Sequence, residues 1–186
     1  LHIPSHSFPT RRSSDLYFLF IVWGDYLLKV ELNKKNYKLF IDFVSKTCDY
    51  MSLVFEKDAS DDNQYIFQEE FLWILESMIE KEPVVVHPNT GSCFENAEIL
   101  YFKINNSVIS FLKQADDIYD WNGKFLPEEL CFYREDSVWF TCIFHERLLY
   151  IYNESSSDLS FLKNNNIVFF YEVWAIVFVY NDILNF

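Results

Sequence analysis

The chain is 186 residues long, half hydrophobic and one-fifth aromatic, with three Gly and five Pro. That is a one-domain length with ample core material, and it excludes a disordered, collagen-like or loop-dominated scaffold. A formal net charge of -13, from 28 acids against 15 bases, argues against nucleic acid and anionic lipid as partners. The longest basic cluster, Lys34-Lys35 with Lys38, reads as the solvated face of a helix rather than a binding stripe. A basic protein partner is compatible with the charge, and solubility alone also accounts for it.

Residues 1–16 are polar, Ser-rich and Pro-interrupted, with neither a helical nor a strand period. The stretch Ser5-His6-Ser7-Phe8-Pro9-Thr10-Arg11-Arg12-Ser13-Ser14-Asp15-Leu16 resembles a translated sequencing-adapter read-through. That resemblance implies that residues 1–16 are not native and lack packed contacts with the rest; the rival reading is a basic arm around Arg11-Arg12. The apolar run Leu16–Trp23 follows, and residues 17–33 are expected to form an apolar extension.

From Lys34 onward the signals become regular. Asn33 or Asn36 caps a helix over 36–47 whose Tyr37, Phe40, Phe43, Val44 and Thr47 line one face. Tyr50–Phe55 is aromatic and β-branched enough for a strand, and 58–63 is a polar turn. Phe67, Phe71, Ile74, Leu75 and Met78 predict a second helix over 64–81, terminated by Pro83. Val84–Val86 is short and extended, 87–92 is a turn, and Ala97–Ile104 is a strand. Asn106 or Ser107 caps a third helix that runs through Tyr119, before Asp120-Trp121-Asn122-Gly123 breaks it.

Three strand-like runs then follow at 130–133, 138–144 and 148–152, joined by short polar segments, and Ser157 or Asp158 caps a last helix through Lys163. The apolar run 167–180 would span about 21 Å as a helix, short of a hydrocarbon core of about 30 Å. Glu172 in its middle also disfavours lipid, so it is expected to be a buried element or a non-native extension. The pattern predicts an α+β fold: a mostly antiparallel sheet with a C-terminal three-strand meander, and helices packed on it. A single domain is expected at 34–163, with 164–186 as an apolar C-terminal extension.

Cys48, Cys93, Cys131 and Cys142 form no CxxC pair and match no common zinc spacing. No secretory leader pattern is visible, so a reducing, cytoplasmic setting is expected, with no metal or cofactor. No phosphate-cradling glycine loop or GxSxG elbow is present.

The densest polar set is His145-Glu146-Arg147, with Arg134, Glu135 and Asp136 across the preceding strand. Adjacent His and Glu on a strand point to opposite faces, which makes 145 and 146 a poor metal pair. His145 is expected to be structural, its ring bonded to a backbone carbonyl or to Glu128, Glu146 or Asp136. A thiol–imidazole pair of Cys142 with His145 is disfavoured because WFTCIF reads as core. His87 and Cys93 flank a turn, but nothing in the spacing selects further ligands. Acid pairs such as Asp116-Asp117 and Glu128-Glu129 read as solvated surface. Trp121 suits a binding surface and suits equally a plug at the sheet edge.

The stretch IYDWNGKFLPEELCFYREDSVWFTCIFHERLLYIY resembles the C-terminal half of a family of small bacterial proteins found mostly in Firmicutes, some labelled stage III sporulation protein AH. The resemblance rests on Tyr119, Trp121, Leu126, Pro127, Glu128, Leu130, Cys131, Phe132, Tyr133, Arg134, Trp139, His145 and Glu146. Glu129 stands where the family often has Asp, and Phe144 replaces a usual Ser. It covers about residues 36–163 and implies a cytoplasmic α+β protein, without supplying an activity.

Two functions are expected. The preferred one is a non-catalytic protein-binding module, immunity-like or regulatory, that uses Tyr119, Trp121, Arg134 and His145. The alternative is a hydrolase or transferase in which His145 works with Glu146 or Glu128, which requires an acid–base pair within hydrogen-bond reach.

Overall fold

The computed structural model describes residues 19–58, 61–65, 69–121 and 127–179. The expectation about residues 1–16 lies outside the described residues. Residues Tyr26–Glu172 form one compact unit.

Among the described residues, nine strands and three α-helices appear in the order β1 (Leu19–Glu31), α1 (Lys34–Thr47), β2 (Tyr50–Asp58), β3 (Asp61–Tyr65), β4 (Met78–Val86), β5 (Cys93–Lys103), α2 (Asn106–Leu112), β6 (Glu128–Arg134), β7 (Ser137–Ile143), β8 (Leu148–Ile151), α3 (Ser156–Asn164) and β9 (Val168–Val179). The sheet runs β4-β5-β2-β6-β7-β8-β1-β9, with β3 paired to β2 off this path. Every pairing with a resolved register is antiparallel. The α+β architecture and the meander β6-β7-β8 match what the sequence predicts. No helix among the described residues is long and apolar enough to cross a membrane.

Local signals explain the elements that form where expected. Asn33 caps α1 through a box in which its side chain accepts from the Asn36 N–H while Asn36 Oδ1 accepts from the Asn33 N–H. Ser155 and Asp158 repeat the device on α3, which puts the cap at Ser155 rather than at the expected Ser157 or Asp158. Arg134 pairs with Ser137, leaving Glu135-Asp136 as a two-residue turn with φ of 47° and 63°. Two left-handed residues in sequence are the type I′ signature, whose twist matches that of the flanking strands.

Alternation along the strands builds two apolar faces. Met51, Leu53, Phe55, Leu100, Phe102, Leu130 and Phe132 enter the main core, where Tyr37, Phe40, Ile41 and Val44 of α1 and Val108, Phe111 and Leu112 of α2 cover them. Val54, Val84, Phe94, Ala97 and Ile99 form a smaller cluster. Leu28 and Val30 of β1 belong to the main core, and β1 pairs with β8 through Leu28↔Ile151 and Lys29↔Tyr150. Glu172, the acid inside the apolar C-terminal run, accepts from Lys29 Nζ and from the Tyr150 hydroxyl, each at 2.9 Å.

Two helical expectations fail. In place of a helix over 64–81 there is a 3₁₀ segment, Glu69–Ser77, followed by β4. Strand β4 closes one end of the sheet path, and Pro83 lies within it, which an edge position tolerates because no ladder bond needs its missing N–H. The third helix stops at Leu112, and a separate 3₁₀ turn, Ile118–Asp120, follows because the Asp117 side chain accepts from the Tyr119 N–H and diverts the chain. Ala115 and Ile118 nevertheless reach the core.

Candidate functional site

The site begins with an irregularity in β6. Ser52 pairs with Cys131 and Val54 with Glu128, so one extra residue sits on β6 between those partners. The extra length is taken up at Glu129, whose φ of 55° lies in the left-handed region. Such a bulge rotates the side chains around it, and a non-Gly residue there costs of order 1 kcal/mol. Adjacent strand residues ordinarily face opposite ways. Here consecutive carboxylates are both buried, Glu128 at 3 % and Glu129 at 0 % exposure.

His145 meets them from the turn between β7 and β8, where Arg147 donates its N–H to the Phe144 carbonyl at 3.0 Å. The imidazole is 61 % exposed on its side chain, and its Nε2 lies 3.1 Å from Glu128 Oε2. That is an ion-pair distance, although the N–H is not aimed for a linear hydrogen bond, and Oε2 is otherwise buried and unpaired among the described residues. One ligand-type atom from each of Glu128, Glu129 and His145 lies within 4.8 Å of the other two.

The electrostatics are unfavourable to charge. Burial pushes the Glu128 carboxyl up; His145 offsets part of this, while Glu56 and Glu129 add like-charge repulsion. Burial likewise pushes Glu129 up. The Thr90 and Ser92 hydroxyls and the Phe144 N–H lower it in part, yet neither Glu129 oxygen has a formed hydrogen bond among the described residues. Two adjacent buried acids, one of them without a formed hydrogen bond among the described residues, are costly, and such positions cluster at working sites.

His145 opens onto a cleft of about 230 Å³ lined also by Thr90, Gly91, Ser92, Cys93, Ile143 and Glu146. One wall is the turn between β4 and β5. His87, only 1 % exposed, holds that turn by accepting the Asn89 and Thr90 N–H groups at Nδ1, each at 3.2 Å. Gly91 has a φ of 76°, which closes the turn without a Cβ in a strained conformation.

The other residues singled out in the sequence have different fates. Trp121 is fully buried, with its Nε1 donating to the Tyr37 hydroxyl at 2.9 Å, which in turn donates to the Leu112 carbonyl at 2.9 Å. The exposed-aromatic reading of Trp121 is therefore corrected: the indole locks α1 to α2 in the core. Tyr119 is half-buried, donates to the Arg147 carbonyl at 3.2 Å and carries the Arg147 guanidinium 4.4 Å from its ring.

Arg134 forms a two-pronged pair with Asp158, 2.9 Å on each arm, and stacks 3.8 Å over Trp139. Glu146 is exposed in the turn, and His145 pairs with Glu128 rather than with Glu146 or Asp136. Cys131 and Cys142 are buried, and burial pushes both thiols up, away from nucleophile chemistry.

Glu128-Glu129 is thus core rather than solvated surface, and Glu129 is the residue that sequence reasoning missed. Only a residue type that signals a left-handed bulge, such as Gly or Asn, would have announced the convergence. What fold and site define is an α+β sheet protein with a buried carboxylate pair capped by an exposed imidazole. No protein-family model, curated protein or solved structure matches the chain.

Proposed function

We propose that the chain is a hydrolase or transferase whose working groups are His145, Glu128 and Glu129. The observation that carries this reading is the convergence of two buried carboxylates, Glu128 in an ion pair and Glu129 without a formed hydrogen bond among the described residues, on one solvent-reachable imidazole at a cleft. His145 is the member that a substrate can meet. Glu128, 3.1 Å away, sets its orientation, as a carboxylate does behind a working imidazole. Glu129 adds a second acceptor at the same point, held there at the cost of burial and a strained backbone.

The test is turnover of chromogenic carboxylic and phosphoric esters by the full chain, compared with the His145→Ala variant. Loss of a positioned acid–base group costs roughly 100- to 10,000-fold in rate. An imidazole this exposed contributes little to folding, so the melting temperature of His145→Ala should stay close to the parent's. Turnover retained in His145→Ala would remove the reading, and so would a large fall in melting temperature with no change in rate.

A further inference from the structure

The same three side chains form a ligand set, and we infer that they bind one first-row divalent cation, of the Mn²⁺ or Zn²⁺ kind. This rests on the reading of Glu128, Glu129 and His145 as the working site and names the co-reactant it would take. Two distances bear on it. The Nε2 of His145 and Oε2 of Glu128 are 3.1 Å apart. Two ligands at right angles about an ion, each about 2.1 Å away, would be about 3.0 Å apart. All three donor atoms lie within 4.8 Å of one another, whereas ligands about 2.1 Å from one ion lie at most about 4.2 Å apart, so the set would have to draw closer on taking up the ion.

Glu129 supplies the independent observation. Its side chain is fully buried, both oxygens lack a partner among the described residues, and the bulge turns it toward the other two groups. Two carboxylates and a neutral imidazole balance the charge of a divalent ion. One nitrogen with two oxygens suits Mn²⁺, Zn²⁺ or Fe²⁺ better than Mg²⁺ or Ca²⁺, which prefer oxygen alone. Three protein ligands leave a coordination position toward the cleft, the arrangement of a working rather than a sealed centre. In that form the imidazole is a ligand, and the substrate meets the cation it helps to hold.

Calorimetric titration of the EDTA-treated full chain with MnCl₂, repeated with ZnCl₂, tests this. The expected result is one saturable site per chain, retained in Glu135→Gln, an exposed acid in the β6–β7 turn that controls for the acidic surface. Loss even of a group that only orients a ligand weakens metal binding 10- to 100-fold, so Glu129→Gln should weaken it by at least about 100-fold. If Glu129→Gln does not fold, His145→Ala serves instead, because nitrogen coupling to bound Mn²⁺ in the electron spin echo spectrum should vanish with the imidazole. No saturable binding by the parent, or equal binding by Glu129→Gln, overturns the cation and leaves the ester-turnover test to judge the functional reading. Saturable binding without turnover supports the cation and counts against that reading.

Discussion

Asp158→Ala should destabilise the protein by about 3 to 5 kcal/mol, seen as a large drop in the urea midpoint at unchanged slope. The carboxylate is 1 % exposed and satisfies several donors at once: both arms of Arg134, the Ser155 N–H at 2.8 Å and the Trp139 Nε1 at 3.3 Å. Removing one partner of a buried pair leaves the other charge uncompensated, which is where most of that cost arises. The substitution also breaks the capping box of α3. Burial alone would raise the Asp158 carboxyl, but Arg134 and Ser155 outweigh it and hold it below the ordinary value. A depressed carboxyl contributes stability above its unfolded pKa and loses that contribution as pH falls through the folded one. The Arg134–Asp158 tie should therefore hold at neutral pH and weaken only below about pH 4.

Acid should act earlier through His87. Burial lowers this imidazole from 6.5 to about 4, with Glu82 opposing slightly. The folded chain keeps His87 neutral while the unfolded chain takes the proton, so stability falls as pH drops from 6.5 toward 4. Over that window the loss amounts to as much as about 3 kcal/mol. Protonation also removes the acceptor that holds the Asn89 and Thr90 N–H groups, so the cleft wall should loosen in step. His87→Asn is the matched comparison, because an Asn side chain accepts N–H groups two and three residues on without titrating. Glu128 and Glu129 oppose this trend, since groups with raised pKa gain stability on acidification. The difference between parent and His87→Asn isolates the histidine. An identical pH dependence in the two proteins would mean that His87 is charged or solvated in the fold.

What was legible in the sequence follows from how local each signal is. Asn33 before an apolar stripe is a cap that needs no tertiary context, and α1 starts there; the last helix was legible too, but its cap is Ser155 rather than the expected Ser157 or Asp158. The meander was legible because β6, β7 and β8 are short apolar runs joined by tight polar turns. Strand β4 was not, because Phe71, Ile74, Leu75 and Met78 recur at helical spacing. Its pairing with β5, from Met78↔Phe102 to Val86↔Cys93, is a tertiary fact. His145 was visible as a candidate, and Glu128 as one of its partners. Their meeting with Glu129 depends on a bulge that no residue in Glu128-Glu129-Leu130 announces, so two acids that resemble surface are core.

The central claim is that Glu129 is kept buried and ionisable for what it does at the site rather than for the fold. Urea unfolding of Glu129→Gln at pH 8 with EDTA present tests it most directly. The amide keeps the shape of the side chain and removes the charge, so relief of an unpaired buried carboxylate should raise stability by about 1 to 3 kcal/mol. The gain should shrink as pH falls through the raised folded pKa, because the parent then becomes neutral as well. A Glu129→Gln protein that is equally stable or less stable at pH 8 would contradict the claim, since the carboxylate would then be satisfied by the fold itself.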